Sequence, residues 1–132
     1  MNSDKKFPVH AEIVVNLTMQ DIDDIMCLAL EGGITYWCCE AEVVGEYLGE
    51  YAHEQISRNG TLLLHYSEED KEYQFTLEHF VQGFRLYLEQ GCHIAVEDSA
   101  IDTGDLDAND ADCIVQFGLF GEVLYGLVRC PV

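Results

Sequence analysis

The sequence predicts an α+β fold, a small and mostly antiparallel sheet of three to four strands packed against about four helices. It reads as a single domain over residues 1–132, with 1–8 as a flexible N-terminus. Three observations carry this. Runs rich in β-branched and aromatic residues alternate with stretches of helical period, in the order β-α-(turn)-α-β-β-α-(β)-α. Two of the runs, 61–66 and 72–76, are joined only by the polar turn 67–71 and so form a hairpin. A chain of 132 residues that is 48% hydrophobic can also close one core without metal or disulfide staples.

Residues 9–17 (VHAEIVVNL) are β-branched with partial alternation and predict a strand. Thr18 then opens a helix. Thr18 and Asp21 stand at capping-box spacing, Ile22, Ile25, Met26, Ala29 and Leu30 recur on one face, and Gly32-Gly33 stops it. Asp21, Asp23 and Asp24 in its first turns meet the positive end of the helix dipole. Residues 34–39 (ITYWCC) fit either a strand or helical 3-4 spacing, and read best as a short extended or turn segment. Trp37, the single tryptophan, is either a core anchor with a polar tip or an aromatic platform beside the Gly-Gly hinge.

Residues 41–56 (AEVVGEYLGEYAHEQI) sort cleanly as a helix. Val44, Leu48, Tyr51 and Ile56, flanked by Val43 and Tyr47, make an oily stripe, and Glu42, Glu46, Glu50 and Glu54 fall four apart on an acidic ridge. Like charges at that spacing cost a few tenths of a kcal/mol per pair, so the ridge is either tolerated for solubility or read by a partner. Ala41, Gly45 and Gly49 form a small-residue line that can seat another backbone, the chain's own or a symmetry mate's in a homodimer. Ser57-Arg58-Asn59-Gly60 supplies the stop. After the hairpin, Thr76 caps a helix over 77–90 with Leu77, Phe80, Val81, Phe84, Tyr87 and Leu88 inward, and Gly91 ends it. Residues 92–96 predict a short strand, 97–112 an acidic loop, and 108–125 a last helix, apolar nearly all round and hence the buried centre.

Charge narrows the function classes. With 25 acids against 6 bases the net charge is −19, which repels bare nucleic acid and anionic membranes and attracts basic proteins. The ten acids between Phe7 and Ser57 have no Lys or Arg among them. The six cysteines include no CxxC pair and lie mostly in apolar segments, the pattern of reduced, buried thiols in a cytosolic protein. The start of the chain lacks an apolar signal region, so the chain reads as soluble and intracellular.

Catalytic signatures are thin. Asp105, Asp107 and Asn109 occupy the first calcium-loop positions, but Asp110 stands where that loop needs Gly and Gln116 where it needs Glu. Cys92-His93 is too little for zinc, and no nucleophile motif accompanies His10, His53, His65 or His79. The runs ALEGGITYWCCEAEVVGEYLGEYAHEQISRNGTL (29–62) and IDTGDLDANDADCIVQFGLFGEVLYG (101–126) resemble a family of small acidic proteins of unassigned function carried by phages and mobile elements of gut Firmicutes. The resemblance implies a bacterial host cytosol and carries no catalytic residues over. Inhibition of host defence follows as an analogy with other mobile-element proteins.

The expectation is therefore a non-catalytic acidic binding protein without a cofactor. Its Glu42, Glu46, Glu50, Glu54 ridge would engage a basic, nucleic-acid-binding surface of a host protein, spaced about 6 Å per helical step, with Asp105, Asp107 and Asp110 as a second patch. Two alternatives stand beside it. One is a small-ligand site using Tyr36 and Trp37, the other a carboxylate-dependent divalent-metal enzyme assembled from separate segments.

Overall fold

The structure, a computed structural model, describes residues 5–9, 11–90 and 94–126. Among them the architecture is α+β, with a three-stranded antiparallel sheet and three α-helices. The helices are α1 (Met19–Leu28), α2 (Leu77–Glu89) and α3 (Ala108–Phe120), and the strands β1 (Cys38–Val43), β2 (Leu62–Tyr66) and β3 (Glu72–Phe75), in the order β1-β2-β3.

Each α-helix starts where its cap chemistry says it must. Thr18, Thr76 and Asp107 accept from the backbone N–H three residues on, and Asp21, His79 and Asp110 return the bond to the cap residue's own N–H. Such caps stabilise a helix by about 1 kcal/mol each. α1 runs on into a single π-turn, Ala29–Gly33, before Gly32-Gly33 ends it. α3 stops at Phe120 rather than near 125, because Gly121 takes the left-handed conformation (φ +74) and donates to the Phe117 carbonyl at 2.9 Å.

The core lies between the sheet's inner face and the helices. Leu62, Leu64 and Phe75 point inward from β2 and β3, while α3 is buried from Asp110 through Phe117. α2 and α3 cross antiparallel at two glycines. A Cβ on Gly83 would run into the Ile114 carbonyl and stand 2.8 Å from the Gly118 nitrogen, and one on Gly118 would run into the His79 carbonyl. Only glycine lets the two backbones approach this closely.

Three expected elements differ. Residues 41–56 are not a helix. β1 takes them to Val43, an irregular loop follows over 44–51, and a 3-10 turn, Ala52–Glu54, leads to the turn at Asn59 (φ +65). Gly45 at φ +78 is incompatible with helix, and the period-2 run Glu40-Ala41-Glu42-Val43 pairs with β2 residue for residue. The Ala41, Gly45, Gly49 line therefore does not exist as a surface, and the regular acidic ridge dissolves with it. Residues 11–17 form no strand. Ile13 and Val14 stay exposed, and Asn16 donates to the Ser99 carbonyl at 2.7 Å. Residues 94–96 likewise form no strand, while His10, Cys92, His93 and Cys130 lie outside the described residues.

Candidate functional site

The sheet's outer face is acidic. β-strand alternation turns Glu40 and Glu42 outward beside His65 and Glu72, with Glu40 opposite His65 and His65 opposite Glu72. His65 Nε2 lies 2.9 Å from the Glu42 carboxylate and Nδ1 3.5 Å from that of Glu72. The Glu42 hydrogen bond, with the surrounding glutamate charges, raises the His65 pKa above its ordinary value.

From this face the chain enters the loop 44–51, where Val44, Tyr47, Leu48 and Tyr51 are each 46 to 60% exposed. These are the residues expected to form the oily stripe against the core. The loop is nevertheless pinned from beneath. Gln55, buried at 1% exposure, accepts from the Leu48 N–H at 3.0 Å and donates to the Glu46 carbonyl at 3.1 Å. One Glu54 oxygen accepts from the N–H groups of Glu50 (2.7 Å) and Tyr51 (3.0 Å), which lowers the Glu54 pKa. Gly49 leaves the room, since a Cβ there would stand 2.8 Å from the Glu54 Cβ. Tyr51 stacks on His53 with ring centroids 5.5 Å apart. The result is a braced loop carrying two tyrosines, a leucine and a valine among Glu42, Glu46 and Glu50. Glu54, expected to face a partner, is instead the loop's brace. Gln55 was not singled out in the sequence, where nothing distinguishes a buried amide from a surface one.

The second acidic patch separates in the same way. Asp105 is exposed, Asp107 caps α3, and Asp110 is buried at 3% exposure and accepts from the Tyr87 hydroxyl at 2.8 Å. Asp110 is thus a core residue rather than a partner contact.

The Gly32-Gly33 turn does carry an aromatic site, built on a buried carboxylate. Asp112 accepts from the Tyr36 hydroxyl (2.6 Å), Trp37 Nε1 (2.8 Å) and Gln116 Nε2 (2.8 Å). Gln116 in turn accepts from the N–H groups of Leu124 (2.8 Å) and Tyr125 (2.9 Å), so one polar cluster ties α3 to two loops. Burial, then the bond to Asp112 and its charge, push the Tyr36 pKa well up. Trp37, 2% exposed and packed among Tyr73, Phe120 and Tyr125, is a core anchor with a satisfied N–H, which corrects its expected place in a ligand site. Tyr36 is 52% exposed and lines a cavity of about 440 Å³ together with Gly32, Gly33, Asn109 and Asp112.

The thiols are not all reduced. Cys27, Cys38 and Cys39 are free, and burial pushes the Cys38 thiol up to about 11. Cys113 is disulfide-bonded, which corrects the expectation of thiols throughout. Among the described residues no three His, Cys, Asp or Glu side chains come together so as to hold a metal ion, and no helix is long and apolar enough to cross a membrane. No family model, curated protein or solved structure matches the chain.

Proposed function

We propose that the chain is a non-catalytic binding protein that docks the braced loop 44–51 and the acidic outer face of its sheet onto a basic surface of a partner protein. The observation that carries this is the display of Val44, Tyr47, Leu48 and Tyr51 to solvent on a loop whose backbone is fixed by Gln55 and Glu54. Tyrosine gives large contact area at small entropic cost, and a loop already held in one shape loses little freedom on binding. Glu40, Glu42, Glu46 and Glu50 border this apolar centre, and the net charge of −19 favours a partner rimmed by Lys and Arg. Self-association through the same patch is disfavoured, because a two-fold axis would bring these glutamates face to face.

The partner class in this proposal is a nucleic-acid-binding protein, whose phosphate-binding surface is basic, and the activity is inhibition by occupying it. Net charge and the apolar loop support this choice. A bacterial host and a mobile-element source belong to the same proposal, while the Cys113 disulfide removes the thiol pattern as support for a reducing cytosol.

The test separates the two halves of the surface. Tyr47→Ser with Tyr51→Ser should cut partner retention from a bacterial lysate at least tenfold at every salt concentration, since exposed hot-spot tyrosines contribute about 2 kcal/mol each. Glu46→Lys with Glu50→Lys should weaken capture chiefly at low salt and flatten its salt dependence. Both pairs should leave the melting temperature nearly unchanged, because the side chains are exposed. Retention that survives both pairs would overturn the proposal.

A further inference from the structure

The cavity beside Tyr36 lies on residues that the proposed docking surface does not use, and its walls point to a ligand class. Tyr36 supplies an exposed ring fixed in place at its far end, its hydroxyl donating to Asp112 at 2.6 Å and lying 2.9 Å from the Tyr125 carbonyl. Gly32 and Gly33 supply a floor of bare backbone, and the lining is mostly carbon. At the start of α3, the half-buried Asn109 lines the same cavity, and no hydrogen bond within the described residues engages its side-chain amide. An amide offers one acceptor and one donor side by side, which matches a planar ring whose edge carries a donor next to an acceptor, as the N6–N7 edge of adenine does.

A second cavity, of about 480 Å³, shares Gly32 and Ala108 with the first and is walled by Asp24, Glu31 and Thr103. Carboxylates there suit the hydroxyls of a sugar and repel a phosphate. A Cβ on Gly32 would make an ordinary contact with the Ala108 Cβ at 3.9 Å, so only a larger side chain there would stand between the two cavities.

We propose that these two cavities together bind an uncharged purine nucleoside. The base stacks on Tyr36 and pairs its edge with Asn109, and the sugar crosses Gly32 toward Asp24 and Glu31. Each cavity lies within the usual range for small-molecule sites, about 300 to 1,000 Å³.

Calorimetric titration of the full chain with adenosine tests this, with AMP and cytidine as comparison probes. Adenosine should bind saturably, AMP more weakly at low salt with the gap closing as salt rises, and cytidine most weakly. Asn109→Ala should weaken adenosine about tenfold, the usual effect of losing a bidentate base contact. Gly32→Leu, at an exposed position without positive φ, should abolish binding by standing between the two cavities. Melting curves of both variants show whether the fold is kept, and equal affinity in a folded Asn109→Ala overturns the base-edge contact. Failure of adenosine to bind the parent chain, or tighter binding of AMP at low salt, overturns the assignment as a whole.

Discussion

Replacing Asp112 distinguishes a carboxylate needed for its acceptors from one needed for its charge. Asp112 is only 4% exposed and takes three donors, yet these donors are unequally dependent on it. In Asp112→Ala, the Tyr36 hydroxyl keeps the Tyr125 carbonyl at 2.9 Å, and Gln116 Nε2 keeps that carbonyl at 3.3 Å and the Tyr36 hydroxyl at 3.2 Å. Trp37 Nε1 has Asp112 alone. One buried donor is therefore orphaned, at about 1 to 3 kcal/mol, and two shared bonds are lost at roughly 0.5 to 1 kcal/mol each. The sum is about 2 to 5 kcal/mol, on the order of 10 °C in melting temperature for a domain of this size. Asp112→Asn behaves differently. Its carbonyl oxygen still accepts from Trp37 and Gln116, while its NH2 faces the Tyr36 hydroxyl, which can accept that bond and donate its own proton to Tyr125. The Asn variant should stay within about 1 kcal/mol of the parent, since no polar group is stranded. Thermal unfolding followed by circular dichroism at neutral pH reads both. An Asn variant as unstable as the Ala variant would refute the acceptor count, and an Ala variant as stable as the parent would refute the dependence of Trp37 on Asp112.

The other predictions concern packing and pH. Gly83→Ala and Gly118→Ala each drive a methyl into the backbone of the facing helix, so each should destabilise by about 1 to 3 kcal/mol, read as a lower urea midpoint with unchanged slope; a neutral result would show that α2 and α3 do not cross there. His65 has its folded pKa raised, chiefly by the Glu42 bond, so the pair's contribution is fully present below the ordinary histidine value of about 6.5 and is lost as pH rises through the raised value. The melting-temperature difference between the parent and His65→Gln should accordingly shrink on raising the pH across that window, and a difference that grows instead would reverse the sign.

Local chemistry was legible in the sequence wherever a few neighbouring residues decide the outcome. Thr18 with Asp21 and Thr76 before Leu77 marked two helix starts, the polar turn 67–71 marked the hairpin, and the apolar wrap of α3 marked the buried centre. The error over 41–56 has a physical source. Helical period and strand period both fit short stretches of that segment, and the arbiter is the β1–β2 pairing, which joins Ala41 to Leu64 and Val43 to Leu62 and leaves no local trace. Two signals did point the right way, the alternation from Glu40 to Val43 and the glycines at 45 and 49. Around Gly32-Gly33 the aromatic pair was visible but its division of labour was not. Which of Tyr36 and Trp37 turns inward depends on where Asp112 lies, and that carboxylate is 75 residues from the tryptophan.

The loop 44–51 stands where a helix was sterically and chemically possible. A helix there would bury Val44, Leu48 and Tyr51, and burying each such side chain stabilises by about 1.5 to 3 kcal/mol. The chain forgoes this. Gly45 and Gly49 would cost a helix about 1 kcal/mol apiece, and the glutamates at four-residue spacing add repulsion, yet together these amount to less than the burial given up. Mere failure to fold inward would leave a loose segment. Here Gln55 is committed wholly to the loop's backbone, and Glu54 holds two of its N–H groups. A rigid loop presenting two tyrosines, a leucine and a valine to water is a poor arrangement for the isolated chain and a good one once another surface covers it. In the proposed complex the partner would supply the missing burial, and the surrounding glutamates would favour a basic surface.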